Sequence, residues 1–217
     1  LQWRCWASSV AANASNTNFA TECYCSRHAE LLAILTECQQ RVAPAQLVFS
    51  SSHPPPPPPP LEKTPPYTMV RIPALLQTGS GALLAFGTAR RGGGGDYAWN
   101  DILLRRSLDE GKTWGAVQLL YGESAAATID NPCPIWDAVR NRTTFLFMRD
   151  GKAMFVTHSE DDGATWSMPR NVTRMTMRDP RQPGNANWGL VYSGPPGGIQ
   201  TKGGRLVCPC HHAASNN

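Results

Sequence analysis

The chain has 217 residues, a formal net charge of +4 and 41% hydrophobic residues, enough to bury a sizeable core in one or two domains. The charge is too weak to argue for nucleic acid, and no apolar run approaches the length of a membrane span, so neither a nucleic-acid partner nor a transmembrane segment is expected. No signal peptide is visible and the first methionine is Met69, yet seven cysteines and the sequons at Asn13, Asn141 and Asn171 favour a secreted or endomembrane, lysosome-like setting.

Residues 1–49 form a Cys-containing segment whose stretch AELLAILTECQQRV places Leu31, Leu35, Cys38 and Val42 on one helical face. Cys5, Cys23, Cys25 and Cys38 would staple this helical cap in one of three pairings, with zinc as the second reading. Residues 50–66, SSSHPPPPPPPLEKTPP, read as an extended proline-rich linker. From Tyr67 the texture changes to short strands punctuated by Gly and Pro: YTMVRIPALL, GALLAFGTAR, DILLRRSL, TTFLFMRD, AMFVTHSE, WGLVYSG and GRLVCPC. Helical periodicity is absent from residues 67–217, which are taken as one all-β unit.

SLDEGKTW, Ser107 to Trp114, returns as SEDDGATW, Ser159 to Trp166, 52 residues later. Ser107, Asp109, Gly111, Thr113 and Trp114 match Ser159, Asp161, Gly163, Thr165 and Trp166. An aspartate can accept backbone N–H bonds across a tight turn while glycine supplies positive φ, so the motif reads as a hairpin lock. An acid or metal-ligand role for Asp109 or Asp161 is the other reading. A repeat of this length suits the four-stranded blade of a β-propeller, with a sandwich as runner-up.

The repeated octad looks like the Asp-box of sialidases and related propellers. VRIPALL (Val70 to Leu76), LLAFGTARRGGGGDYAWNDILLRRS, NPCPIWD (Asn131 to Asp137) and GPPGGIQTKGGRLVCPCHH (Gly194 to His212) resemble sialidase segments in the family's order. The resemblance covers about Tyr67 to His212 and implies a six-bladed propeller, of which about three blades fit in this length. By that resemblance, Arg71 and Arg90 belong to an arginine triad that holds a sialic acid carboxylate, with Arg91 as fallback for Arg90. Adjacent strand side chains face opposite ways, so only one of Arg90 and Arg91 would enter the pocket. Asp96 matches the acid/base aspartate on a glycine-flanked loop, with Asp101 as competitor. Asp130 and Asn131 sit where the family lines the N-acetyl side of the sugar pocket. The crowded CPCHH, Cys208 to His212, invites a metal but reads as a strand end; His211 or His212 could line the aglycone side.

The implied reaction is retaining hydrolysis of terminal α-linked sialic acid from glycoproteins, glycolipids such as gangliosides, or oligosaccharides. No cofactor or metal is expected. The family uses a tyrosine nucleophile assisted by a glutamate, an exception among glycosidases. That glutamate, that tyrosine and the remaining arginine are expected beyond Asn217, so Tyr97, Tyr121 and Tyr192 are not assigned the role, and the chain alone is expected to be unstable or inactive. The alternative is a non-catalytic Asp-box propeller that binds glycans or serves a structural role.

Overall fold

Short strands joined by glycine and Asx turns build antiparallel meanders in the computed structural model, which describes residues 46–50, 65–92, 94–123, 126–176 and 188–214. The expected N-terminal helix with its four cysteines and the proline-rich run lie outside the described residues.

The first sheet has the order β1-β2-β3-β4, from Tyr67–Gln77, Leu83–Arg91, Asn100–Ser107 and Gln118–Tyr121. The second repeats it with β5 to β8, Ile129–Asp137, Arg142–Arg149, Ala153–Ser159 and Arg170–Asn171. A four-residue helix, α1 (Thr173–Thr176), follows β8, although no helical pattern was expected there. Beyond it come two small pairs, β9 (Trp188–Ser193) with β12 (Cys210–Ala214) and β10 (Ile199–Gln200) with β11 (Leu206–Val207). All described residues outside α1 are strand, turn or loop, so the all-β expectation holds; the sheets remain open meanders.

Each octad joins the third strand of its sheet to the fourth. Asp109 Oδ1 accepts from Thr113 N at 2.9 Å and Ser107 Oγ at 2.7 Å, and Oδ2 accepts from Thr113 Oγ1 at 2.6 Å. Asp161 makes the same three bonds with Thr165 N, Ser159 Oγ and Thr165 Oγ1 at 2.8, 2.8 and 2.6 Å. Gly111 and Gly163 take φ of 85° and 78° and donate their N–H to the box serine. Both aspartates therefore stabilise their own turns.

The main core lies between the first two sheets, where Leu84, Phe86, Ile102 and Leu104 meet Ile129, Phe145 and Phe147. Phe86 stacks on Phe145 with centroids 4.7 Å apart, and Trp166 of the second octad meets both rings edge-on. A smaller core of Met148, Met154, Val172 and Val191 joins the second sheet to β9. On the opposite face of the first sheet, Tyr67, Ala89 and Leu103 are covered by Phe49, Val117 and Leu119.

The first strand of each four-stranded sheet breaks its ladder at the same place. In β1 the register shifts between Arg71 and Ala74, in β5 between Asp130 and Cys133. The residue after each leading charge, Ile72 or Asn131, adopts positive φ (51° and 59°) and precedes a proline. These are β-bulges, and proline is tolerated because β1 and β5 are edge strands of their sheets. For β-branched Ile72 the left-handed backbone is strained, a feature that clusters at functional sites.

Candidate active site

Period-two alternation sorts the polar ends of β2 and β3 onto two faces. Leu84, Phe86, Thr88 and Arg90 form one row of β2, apolar where it packs on the second sheet and polar at its end. Arg91 falls on the other face with Ala89. Arg90 pairs in register with Asn100, and Ala89 with Asp101, so Asn100 and Asp101 are split in the same way.

Arg90 is 1% exposed and reaches across to two carboxylates and a carbonyl. Its Nη1 donates to Asp96 Oδ1 at 2.6 Å and to Gly94 O at 2.9 Å, and its Nη2 lies 3.9 Å from Asp130 Oδ2. Arg71, projected by the β1 bulge and about half exposed, places Nη1 3.6 Å from the same Asp96 Oδ1. One exposed carboxylate oxygen thus bridges two guanidinium groups. Those arginines, Arg90 first, hold the Asp96 carboxyl below the usual carboxylate range.

Asp130 lies beneath. It is buried, accepts from Thr88 Oγ1 at 2.7 Å and from Asn131 N at 2.7 Å, and Asn100 Nδ2 approaches at 3.5 Å. Burial pushes its carboxyl upward; Thr88, Asn131 and Arg90 offset part of that. Asn131 turns its amide towards β9, with Nδ2 donating to Ser193 O at 2.9 Å while Ser193 Oγ donates to Asn131 O at 2.7 Å. Thr88, Asn100 and Ser193 carried no sequence signal; their position beside Asp130 and Asn131 depends on sheets meeting across 30 or more residues.

Arg91 and Asp101 are elsewhere. Arg91 Nε and Nη2 donate to Asp101 Oδ2 at 3.1 and 2.6 Å, Tyr67 OH donates to the same oxygen at 2.8 Å, and the guanidinium lies 3.9 Å over the Tyr67 ring. Asp101 is fully buried and burial raises its carboxyl, with Tyr67 and Arg91 offsetting part of the rise. This is an internal ion pair on the far face, out of reach of Asp96.

A shallow groove beside the arginines is lined by Arg71, Ile72, Pro73, Pro195 and Pro196. Exposed Tyr97, on the Asp96 loop, is 3.4 Å from Tyr192 OH, and Tyr192 stacks on His211 with centroids 4.9 Å apart. Burial pushes the Tyr192 phenol up to about 12. Tyr121 instead packs among Phe147 and Phe155. Among the described residues no group of three or more His, Cys, Asp or Glu side chains is arranged to hold a metal ion.

Residues 81–217 match the family model described as a BNR repeat-like domain. A sialidase of Paraclostridium sordellii is 28% identical over 166 residues, covering 68% of this chain and 40% of the relative. An exo-alpha-sialidase of Arthroderma benhamiae is 30% identical over 173 residues, covering 64% of this chain and 40% of the relative. The chain therefore spans about two fifths of the length of these relatives. Among solved structures, the Hadza microbial sialidase Hz136 superposes with a TM-score of 0.58 at 24% identity, over 68% of this chain and 33% of that one. The fold is that of part of a sialidase propeller.

Proposed function

This chain belongs to the family of BNR repeat-like domains and is related to the sialidases, and from that premise we propose that it carries part of the active site of an exo-α-sialidase. The substrate class is a sialylated glycoconjugate, and the reaction is hydrolysis of its terminal α-linked sialic acid with retention. The observation that carries this reading is the convergence of Arg71 and Arg90 on a single carboxylate oxygen, Asp96 Oδ1. Planar guanidinium groups aimed at one point form a receptor for a carboxylate. Without a ligand, the Asp96 carboxylate fills that receptor.

A sialoside carboxylate arriving there displaces Asp96 from both arginines. Freed of its cationic partners, Asp96 regains affinity for a proton and can donate it to the glycosidic oxygen, then take one back from water. Its exposed place on a loop suits that exchange. Asp130, held by Thr88 and Asn100, fixes the Arg90 guanidinium, and Asn131 lines the sugar pocket. Retention requires a nucleophile; Tyr192, with its phenol pushed up, and core-packed Tyr121 are poorly suited, and no residue of this chain is assigned to it. No described helix is long and apolar enough to cross a membrane. A secreted or endomembrane location is the accompanying proposal, supported by the exposure of Asn141 and Asn171 in their sequons.

The test is hydrolysis of a fluorogenic sialoside by the protein containing this chain, beside its Arg71→Ala and Asp96→Ala variants. Arg71→Ala should raise KM at least tenfold, the cost of one charge-assisted contact. Asp96→Ala should lower kcat by roughly a hundredfold or more. Activity untouched by both substitutions would defeat the assignment, and folded protein without any activity would favour the non-catalytic reading.

A further inference from the structure

Cys133 meets Cys208 and Cys210, a pair distant from it in sequence, where the second sheet joins the third group of strands. Cys133 follows the β5 bulge and is fully buried, Cys208 lies in the break between β11 and β12, and Cys210 opens β12 at the surface. Cys208 Sγ is 3.1 Å from Cys133 Sγ and 3.9 Å from Cys210 Sγ. Pro209 creates this arrangement: GRLVCPC does not run on as one strand but stops at Val207 and restarts at Cys210. The backbone around the thiols is held by bonds from Gly194 N to Pro209 O at 2.6 Å and from Gly198 N to Pro134 O at 3.1 Å. Gly198 leaves no room for a side chain, since a Cβ would run into Val207 O and Ile135. The thiols are thus brought together by fixed backbone.

We propose that Cys133 and Cys208 form a disulfide tying the second sheet to the third group of strands, with Cys210 as the surface thiol through which an external disulfide delivers the oxidation. The graded exposure of the three sulfurs, from surface to core, sets the order of exchange. The Cys210 thiolate attacks a small-molecule disulfide RSSR, giving a mixed disulfide on Cys210 and one RSH after protonation. Cys208 attacks the Cys210 sulfur and releases the second RSH. Cys133 then attacks the Cys208 sulfur, and Cys210 leaves as a free thiol. In total, two protein thiols lose two protons and two electrons to RSSR, which becomes two RSH. The product cross-links positions 75 apart in sequence, a long constraint on the unfolded chain. It also lies next to Asp130 and Asn131, so the cross-link would fasten the β5 bulge against β9 and β12. The inference stands whether or not the chain serves a sialidase.

The experiment is incubation of the full chain in a glutathione redox buffer, alkylation of remaining thiols, and non-reducing peptide mapping by mass spectrometry. The expected end product is a pair of peptides joined through Cys133 and Cys208, with Cys210 alkylated. Cys208→Ser should abolish that pair. Cys210→Ser should still reach it, but roughly tenfold more slowly. Unfolding the chain in urea before oxidation should scatter the pairing over other cysteines, which shows that the fold selects it. A stable Cys208–Cys210 end product, a bond from Cys133 to any other cysteine, or alkylation of Cys133 in the oxidised folded chain would overturn the proposal.

Discussion

Two nearby aspartates, Asp96 on the loop joining β2 to β3 and Asp101 within β3, end in opposite electrostatic situations. Asp96 is largely exposed and pinned between Arg90 and Arg71, whereas Asp101 is fully buried beneath Arg91 and Tyr67. Removing one partner of a buried pair leaves an uncompensated charge, so Asp101→Ala should cost about 3–5 kcal/mol of stability. Asp96→Ala should lower the denaturation midpoint less, because Arg90 keeps Gly94 O at 2.9 Å and Asp130 Oδ2 at 3.9 Å. Paired urea titrations of the two variants check this contrast. Asp96 also carries a pH signature. Because its folded carboxyl is depressed, its ion pairs are present above the ordinary aspartate range and are lost as pH falls below it. Arg71→Ala, or occupancy of the arginines by an anionic ligand, should move the Asp96 carboxyl upward, read by carbon-13 NMR titration of the side chain. Strand alternation put Arg90 and Arg91 on opposite faces, while the preference for Arg90 came from the resemblance. Thr88 and Asn100 were not legible, because their value lies in reaching a carboxylate on another sheet.

The two Asp-box turns share their internal bonds but not their surroundings. The second is wedged against the first sheet: Gly163 lies over Leu84 and Leu104, Arg106 Nε donates to Asp162 O at 2.6 Å, and Trp166 caps the stacked phenylalanines. Asp161→Ala should therefore destabilise the chain by about 1–2 kcal/mol, from lost turn bonds and a loosened tryptophan, and more than Asp109→Ala does. Both carboxyls are depressed to about 2 by hydroxyl and backbone donors. The stability they confer is complete above the unfolded aspartate range and is lost as pH falls towards 2. Acid denaturation of the wild type and Asp161→Asn tests this, and the variant should show the shallower decline. Short apolar and β-branched runs bounded by turn residues, such as β2, β6 and β7, were visible in the sequence to within a residue or two. The stretch IDNPCPIWD is outside the strands expected from the sequence, and its two prolines cannot donate to a ladder. It nevertheless forms β5, since an edge strand needs donors on one side only. Pro209 had the opposite effect, dividing a stretch that the apolar pattern read as continuous.

Cohesion between the sheets is graded along the chain. The first interface is a large aromatic and aliphatic core in which Phe86, Phe145 and Phe147 are fully buried. The second rests on two methionines and two valines, softer groups with less ring area. The third group of strands comprises two separate pairs, one of them with only two residues in each strand. A propeller blade is stabilised mainly by its neighbours, so local opening should follow this gradient. Native-state hydrogen exchange should find the amides of β2, β3 and β6 slowest and those of β10 and β11 fastest, with β9 and β12 between them. Protection of β10 and β11 equal to that of β6 would show that the sheets open as one cooperative unit. The gradient matters for the site, because Arg90, Thr88 and Asp130 meet beside the firm first interface while Asn131 depends on Ser193 of the looser third group. The proposed carboxylate receptor is thus held at Arg90 beside the better-packed interface, and the proposed wall at Asn131 is tied to the more sparsely packed third group of strands.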